Sequence, residues 1–188
     1  MNLKEISQKG GLDTLSKEEL SKVAMDSKEI VYEYNSCKPK EAQKKHDILK
    51  KLIGKLGENV TIRIPFICDY GFNITIGDEA FINYNCCILD HSEVVIGKHV
   101  RIAPNVSIFS TTHSVNPKIR LKSSCYGKKI VIEDNVWIGG GSIINPGVTI
   151  GKNSVIGSGS VVTKSIPANV VAVGNPCKVI RDISEDEI

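Results

Sequence analysis

The chain has 188 residues, with 24 lysines and arginines against 21 aspartates and glutamates, a length that suits one domain with a real core and a small appendage. The near-balance of charge argues against a nucleic-acid partner, which calls for a concentrated basic face. No apolar run approaches membrane-spanning length and the lysine-bearing N-terminus has no signal-peptide core, so no membrane partner and a cytoplasmic location are expected.

Residues 1–57 read as helical. Ser16-Lys17-Glu18-Glu19 has the form of a capping box, and Leu20, Val23, Ala24, Ser27, Ile30, Val31 and Tyr34 then fall on one stripe. A second helix is expected from near Pro39, with Ala42, Leu49, Leu52, Ile53 and Leu56 inward, ending by Gly54 or Gly57. The lysines between form a solvated face. Such a helical hairpin is too small to stand alone and is expected to cap the rest.

From residue 58 to 188 the pattern changes. Aliphatic residues recur every six positions: Ile76, Ile82 and Ile88; Ile96, Ile102 and Ile108; then Ile132, Ile138, Ile144, Ile150, Ile156 and Val162. Four residues beyond most of these anchors comes a small or β-branched residue, and directly after them often comes glycine or asparagine, such as Gly77, Asn83, Gly97 and Gly139. A short fixed period predicts a parallel β-helix in which each repeat supplies one strand and one corner. A period of two, as in ordinary strand pairing, would not single out every sixth position. The anchors are expected inside, with glycine and asparagine taking positive φ at the corners.

The beat breaks twice. Between Ile88 and Ile96 it lengthens to eight, with Asp90 and His91 in the excess. Between Ile108 and Ile132 it is lost, and the stretch Thr111-Thr112-His113-Ser114-Val115-Asn116-Pro117 opens a loop of about residues 109–130. Solenoids accept insertions as loops on one face, and long ordered loops tend to be functional. His113, flanked by hydroxyl residues at the start of that loop, is the leading general acid/base; an ordinary surface histidine is the competing reading. His46 and His99 read as surface residues. The six cysteines contain no C-x-x-C pair and read as small buried thiols in a reducing compartment. No metal site is expected, since the histidines lack a convergent ligand spacing.

The hexapeptide beat, together with Asn135–Gly151 (NVWIGGGSIINPGVTIG), Cys68–Gly77 (CDYGFNITIG) and Gly174–Arg181 (GNPCKVIR), closely resembles the maltose/galactoside O-acetyltransferase family, one of the left-handed β-helix acyltransferases. The resemblance covers nearly the whole chain, including the helical segment ending in Tyr32–Asn35. It implies a mainly β fold: a left-handed parallel β-helix of hexapeptide repeats with an N-terminal helical cap and an extruded loop. It implies acetyl-CoA as co-substrate, a sugar hydroxyl as acceptor, and a homotrimer with active sites between subunits. His113 falls on the family's catalytic base and the Gly140 N–H on its oxyanion donor. Asn83, Asp69 and Asp90 fall in or beside the acceptor pocket, although corner capping is the competing role for Asn83 and Asp69. The CoA positions implied are Gly140, Ser142 and Ser158 along the pantetheine arm, Trp137 beside the cleft, and Thr163, Lys164, Lys178 and Arg181 towards the C-terminus. A subunit contact for Trp137 and a solvated basic face for the last two are the alternatives.

Three positions depart from the family pattern: Ala24 where a pocket arginine is usual, Asp13 where an aromatic is usual, and His91 where the galactoside branch has an aspartate. They favour a glucose- or maltose-type acceptor over a galactoside. The competing functions are a hexapeptide acetyltransferase for an antibiotic or amino sugar, and a non-catalytic β-helix scaffold. A γ-class carbonic anhydrase would need a close histidine pair that this sequence lacks.

Overall fold

The computed structural model describes residues 15–122 and 126–184; Asp13 and Cys125 lie outside them. Helix α1 (Lys17–Asn35) begins with the expected capping box. Glu19 N–H donates to Ser16 Oγ at 3.2 Å, and Ser16 N–H donates to the Glu19 carboxylate at 2.8 Å, an arrangement that contributes about 1 kcal/mol. Its stripe buries Val23, Ser27 and Tyr34, and helix α2 (Ala42–Leu52) buries Ile48, Leu49 and Leu52. Ala42, expected inward, is exposed, because the first turn of α2 overhangs a cavity rather than the coil below it.

The remainder is a parallel β-solenoid of about 6 turns. Its first face stacks Lys55–Leu56, Ile74–Ile76, Val94–Ile96, Ile130–Ile132 and Thr149–Ile150. The second stacks Thr61–Ile62, Phe81–Ile82, Arg101–Ile102, Trp137–Ile138, Val155–Ile156 and Val170–Val173, and ends with the antiparallel strand Lys178–Asp182. The third stacks Phe66–Cys68, Cys86–Leu89, Ser107–Phe109, Ile143–Ile144 and Val161–Val162. The chain visits the three in turn, so each coil contributes one strand to each face.

The register puts like over like. Ile76, Ile96, Ile132 and Ile150 form one column, Ile82, Ile102, Ile138 and Ile156 a second, and Ile88, Ile108, Ile144 and Val162 a third. All twelve anchors are buried, and each contributes roughly 1.5–3 kcal/mol by leaving water. Of the residues four beyond them, Ala80, Cys86, Val100, Val106, Val136, Ser142, Val148, Ser154 and Ser160 are buried beside them. Cys37, Cys68, Cys86 and Cys177 are buried too, and Cys87 is half-buried.

The corners differ from expectation in one respect. Positive φ falls three residues after an anchor, at Glu79, Asn85, His99, Asn105, Asn135, Gly141 and Asn153 among others, not at the residue directly after it. Glycine directly after an anchor answers a different constraint, close approach between coils: a Cβ on Gly139 would lie 2.5 Å from the backbone nitrogen of Ser158.

The helices seal the open end of the prism beside the first coil. Tyr34 donates its hydroxyl to Ile62 O at 2.6 Å. The Asn35 amide pairs with both the N–H and the C=O of Phe66, at 2.9 and 2.8 Å, as an added strand would. Ser27 Oγ donates to Tyr70 O at 2.9 Å, tying α1 to the corner beyond the third face. After Phe109 the chain leaves the solenoid, and Ile130 rejoins in register with Val94 as though nothing intervened.

Candidate active site

The excursion is held at its neck. Thr111–Thr112 pairs antiparallel with Tyr126–Gly127, and Lys128 N–H donates to Ser110 O at 2.8 Å. The buried Ser110 hydroxyl accepts Ser92 N–H and lies 2.9 Å from the carbonyls of Leu89 and Ser92. His113 follows this ladder directly and is exposed. Beyond it, Asn116 Oδ1 accepts Lys118 N–H at 3.0 Å and caps helix α3 (Pro117–Arg120), while Arg120 donates to Ser114 O at 3.0 Å. The imidazole therefore projects from a segment braced on both sides.

The same edge, between the third and first faces, carries Asp69 and Asp90. Pairing of Cys68 with Ile88 and of Ile88 with Ile108 carries on to stack Tyr70, Asp90 and Ser110 over one another, with Asp69 one residue before Tyr70 and His91 one residue after Asp90. Asp90 is wholly buried; its Oδ1 accepts the N–H groups of Asp69 and Tyr70 at 3.1 and 2.9 Å. Burial pushes its carboxyl up to about 6. Asp90 thus builds the corner beside which the acceptor pocket is expected. Asp69 is half-buried, and burial raises its carboxyl against the opposing pull of His91 and Lys28. The His91 ring sits 6.2 Å from that of Tyr70, so the position that departs from the family lies on this edge. Ala24, the other described departure, lies half-buried on α1.

Asn83 and Gly140 lie on a different edge, between the second and third faces. Asn83 Oδ1 accepts Tyr84 N–H at 2.8 Å, so Asn83 does cap its corner. Two coils further on, Gly139 N–H donates to Ile156 O and Gly141 N–H to Pro104 O. The half-buried Gly140 N–H between them has no acceptor among the described residues. Ser158 is exposed one coil beyond, where Gly159 N–H donates to Gly140 O. The Ser142 side chain is buried, with its hydroxyl 2.7 Å from Gly139 O and 3.1 Å from Gly157 O, so the hydroxyl is an internal brace and leaves the contact expected of Ser142 along the pantetheine arm to its backbone.

Trp137 stands outward on the second face, 55% exposed. Lys178 and Arg181 are exposed on the last strand of that face, and Thr163 and Lys164 on the His113 edge. One chain therefore divides the expected site residues: base and acidic pair on one edge, Asn83 and the Gly140 N–H on another. Sequence reasoning missed Ser110, which locks the neck; its signal was the hydroxyl run leading into His113. Among the described residues no group of three or more His, Cys, Asp or Glu converges as a metal site, and no helix is long and apolar enough to cross a membrane.

A hexapeptide β-helix capped by two helices and carrying a histidine on a braced loop defines an acyltransferase of the hexapeptide class. Comparison with known proteins narrows it. The bacterial transferase hexapeptide profile matches residues 129–164, and the maltose acetyltransferase hexapeptide capping motif matches residues 13–57. The galactoside O-acetyltransferase of Escherichia coli is 44% identical over 185 residues, 98% of this chain and 91% of that protein. A maltose O-acetyltransferase from Clostridium difficile superposes with a TM-score of 0.89 at 44% identity, over 98% of this chain and 99% of the other. A galactoside acetyltransferase in complex with coenzyme A superposes at 0.87 with 41% identity, over 98% and 92%. The chain belongs to the maltose/galactoside O-acetyltransferase family of hexapeptide acetyltransferases.

Proposed function

We propose that the protein transfers the acetyl group of acetyl-CoA to a hydroxyl of a sugar such as glucose or maltose, with His113 as general base. The observation that carries this reading is the placement of His113: an exposed imidazole on a braced excursion from a solenoid of this family. His113 takes the proton as the acceptor oxygen attacks the thioester carbonyl. A C–O bond forms and the carbonyl oxygen becomes an oxyanion, for which the Gly140 N–H is a donor with no acceptor among the described residues. Collapse breaks the C–S bond, and the imidazolium returns its proton to the departing CoA thiolate. The products are an acetyl ester and CoA, with no acyl-enzyme between.

The separation of His113 from Asn83 and Gly140 supports a homotrimer. A prism with the base on one edge and the oxyanion donor on another completes its site when the first edge of one copy meets the second edge of the next. Trp137, Ser158, Thr163, Lys164, Lys178 and Arg181 then supply the CoA wall, the cations pairing with its phosphates. Asp69 holds acceptor hydroxyls, and Ala24 and His91 bias the pocket towards glucose- or maltose-type sugars.

The test is release of free thiol from acetyl-CoA by the purified protein, alone and with glucose, maltose, glucosamine or a thiogalactoside. Sugar-dependent release that drops by about 10²–10⁴ in His113→Ala is expected. Release that is unchanged in that variant would remove His113 from the mechanism. CoA binding without release on any sugar would move the search to other acceptors.

A further inference from the structure

Under the second helix lies a cavity of about 290 Å³, bounded by α2 and the first coils of the second face. Lys45 and His46 enter it from α2, Arg63 and Thr61 from the first coil, with Tyr84 at the rim and the buried Tyr34 as floor. Among the described residues no carboxylate lines it. Other basic side chains in this chain find acids: Lys98 lies 2.8 Å from Asp78, and Lys129 lies 2.7 Å from Glu93. Lys45 Nζ instead donates to a neutral group, Pro39 O, at 3.1 Å. The Arg63 guanidinium rests 5.8 and 5.9 Å from the ring centres of Phe81 and Tyr84. Those faces orient its fork without cancelling its charge.

The start of α2 adds to this field. Ala42, its first residue, faces the same cavity. Glu41 stands at the N-cap yet makes no side-chain cap bond; its carboxylate turns back to accept Lys38 N–H at 2.7 Å, and no acidic residue occupies the first turn. The first turn of α2 therefore has no side-chain cap beside the three basic side chains.

We propose that this cavity binds a small molecule through an oxyanion group, a phosphate or a carboxylate, gripped by Arg63 and Lys45 with His46 beside them. Its volume is at the lower end for small-molecule sites, enough for one charged group and a few attached carbons. Arg63 lies one coil beneath Asn83, since Arg63 N–H donates to Ile82 O and Asn83 N–H to Ile102 O. The ligand therefore sits against the Asn83 edge. This assignment stands on the cavity alone and does not rest on the acetyl-transfer reading.

The experiment follows the histidine imidazole NMR signals of the full chain at fixed pH during titration with inorganic phosphate. Glucose 6-phosphate, glucuronate and uncharged glucose follow in turn. The His46 signal shifts saturably with the anions and not with glucose, and with inorganic phosphate, which carries no sugar, His91, His99 and His113 stay in place. The stronger of glucose 6-phosphate and glucuronate identifies the charged group preferred. Arg63→Gln and Lys45→Gln each weaken binding by at least about tenfold; Lys45, on the rim side of α2, keeps the test open if the Arg63 variant does not fold. No saturable shift at His46, equal binding in both variants, or phosphate displaced by CoA with His46 unmoved would each overturn the proposal. A protein inactive on every sugar that still shows the His46 shift would leave it standing.

Discussion

Tyr70 donates its backbone N–H to Asp90 Oδ1 at 2.9 Å, while Asp90 Oδ2 is buried with no partner among the described residues. One oxygen of this carboxylate is well held and the other is stranded, which is why burial raises its pKa to about 6 from 3.8. The native state then binds the proton more tightly than the unfolded chain does. The associated stability is fully present below pH 4 and is lost as pH rises through 6. The loss amounts to about 3 kcal/mol across that window. Asp90→Asn removes the charge and keeps the acceptor for Tyr70. Relative to the native protein, the variant should gain stability between pH 4.5 and pH 7.5, read from urea midpoints. A difference that does not change with pH would show that Asp90 stays ionised in the fold.

Ser142 gives a prediction of the opposite kind. Its hydroxyl bonds inside the prism to Gly139 O, with Gly157 O alongside. Ser142→Ala should cost about 1–2 kcal/mol of stability and leave the KM for acetyl-CoA unchanged. A raised KM at unchanged stability would show that the hydroxyl itself contacts the cofactor.

Two glycines at one corner should respond in contrasting ways. A Cβ on Gly139 meets the backbone nitrogen of Ser158 at 2.5 Å, and backbone cannot swing aside, so Gly139→Ala should lose about 2–4 kcal/mol or fail to fold. Gly141 has φ +69 with nothing within 4 Å of an added Cβ. It also continues the column in which Asn85 Nδ2 donates to Asn105 Oδ1 at 2.7 Å. Asparagine tolerates that conformation and would extend the ladder, so Gly141→Asn should be neutral or stabilising by up to about 1 kcal/mol. Thermal melts of both variants decide it.

These cases mark what the sequence could and could not disclose. The solenoid was readable because a six-residue period has one physical solution, and all twelve anchors lie in the interior columns. The corner chemistry was not, because glycine serves both close approach and positive φ, and the sequence does not say which operates where. The third residue after an anchor accepts Glu79 and His99 as well as asparagine, which blurs the signal further. The burial of Asp90 was hidden for a related reason, whereas that of Ser142 was legible as a small residue four beyond an anchor. A polar residue at an inward position resembles one at a corner until its hydrogen-bond partners, one or more coils away in sequence, are known. The division of site residues between two edges was hidden too, since each residue simply follows an anchor.

That division leads to the strongest test of the shared site. His113→Ala lacks the proposed base on one edge, and Asn83→Ala lacks the amide on the other. If each site joins the His113 edge of one copy to the Asn83 edge of the next, both variants are impaired alone but complement each other when mixed. Unfolded together and refolded at equal concentration, they form mixed oligomers in which about a quarter of the sites pair an intact His113 edge with an intact Asn83 edge. Activity should therefore recover to about that fraction of the native rate. It should return only after co-refolding and not after simple mixing, because exchange requires the copies to separate. A site contained within one chain predicts no recovery at any ratio, because every chain in the mixture carries one damaged edge.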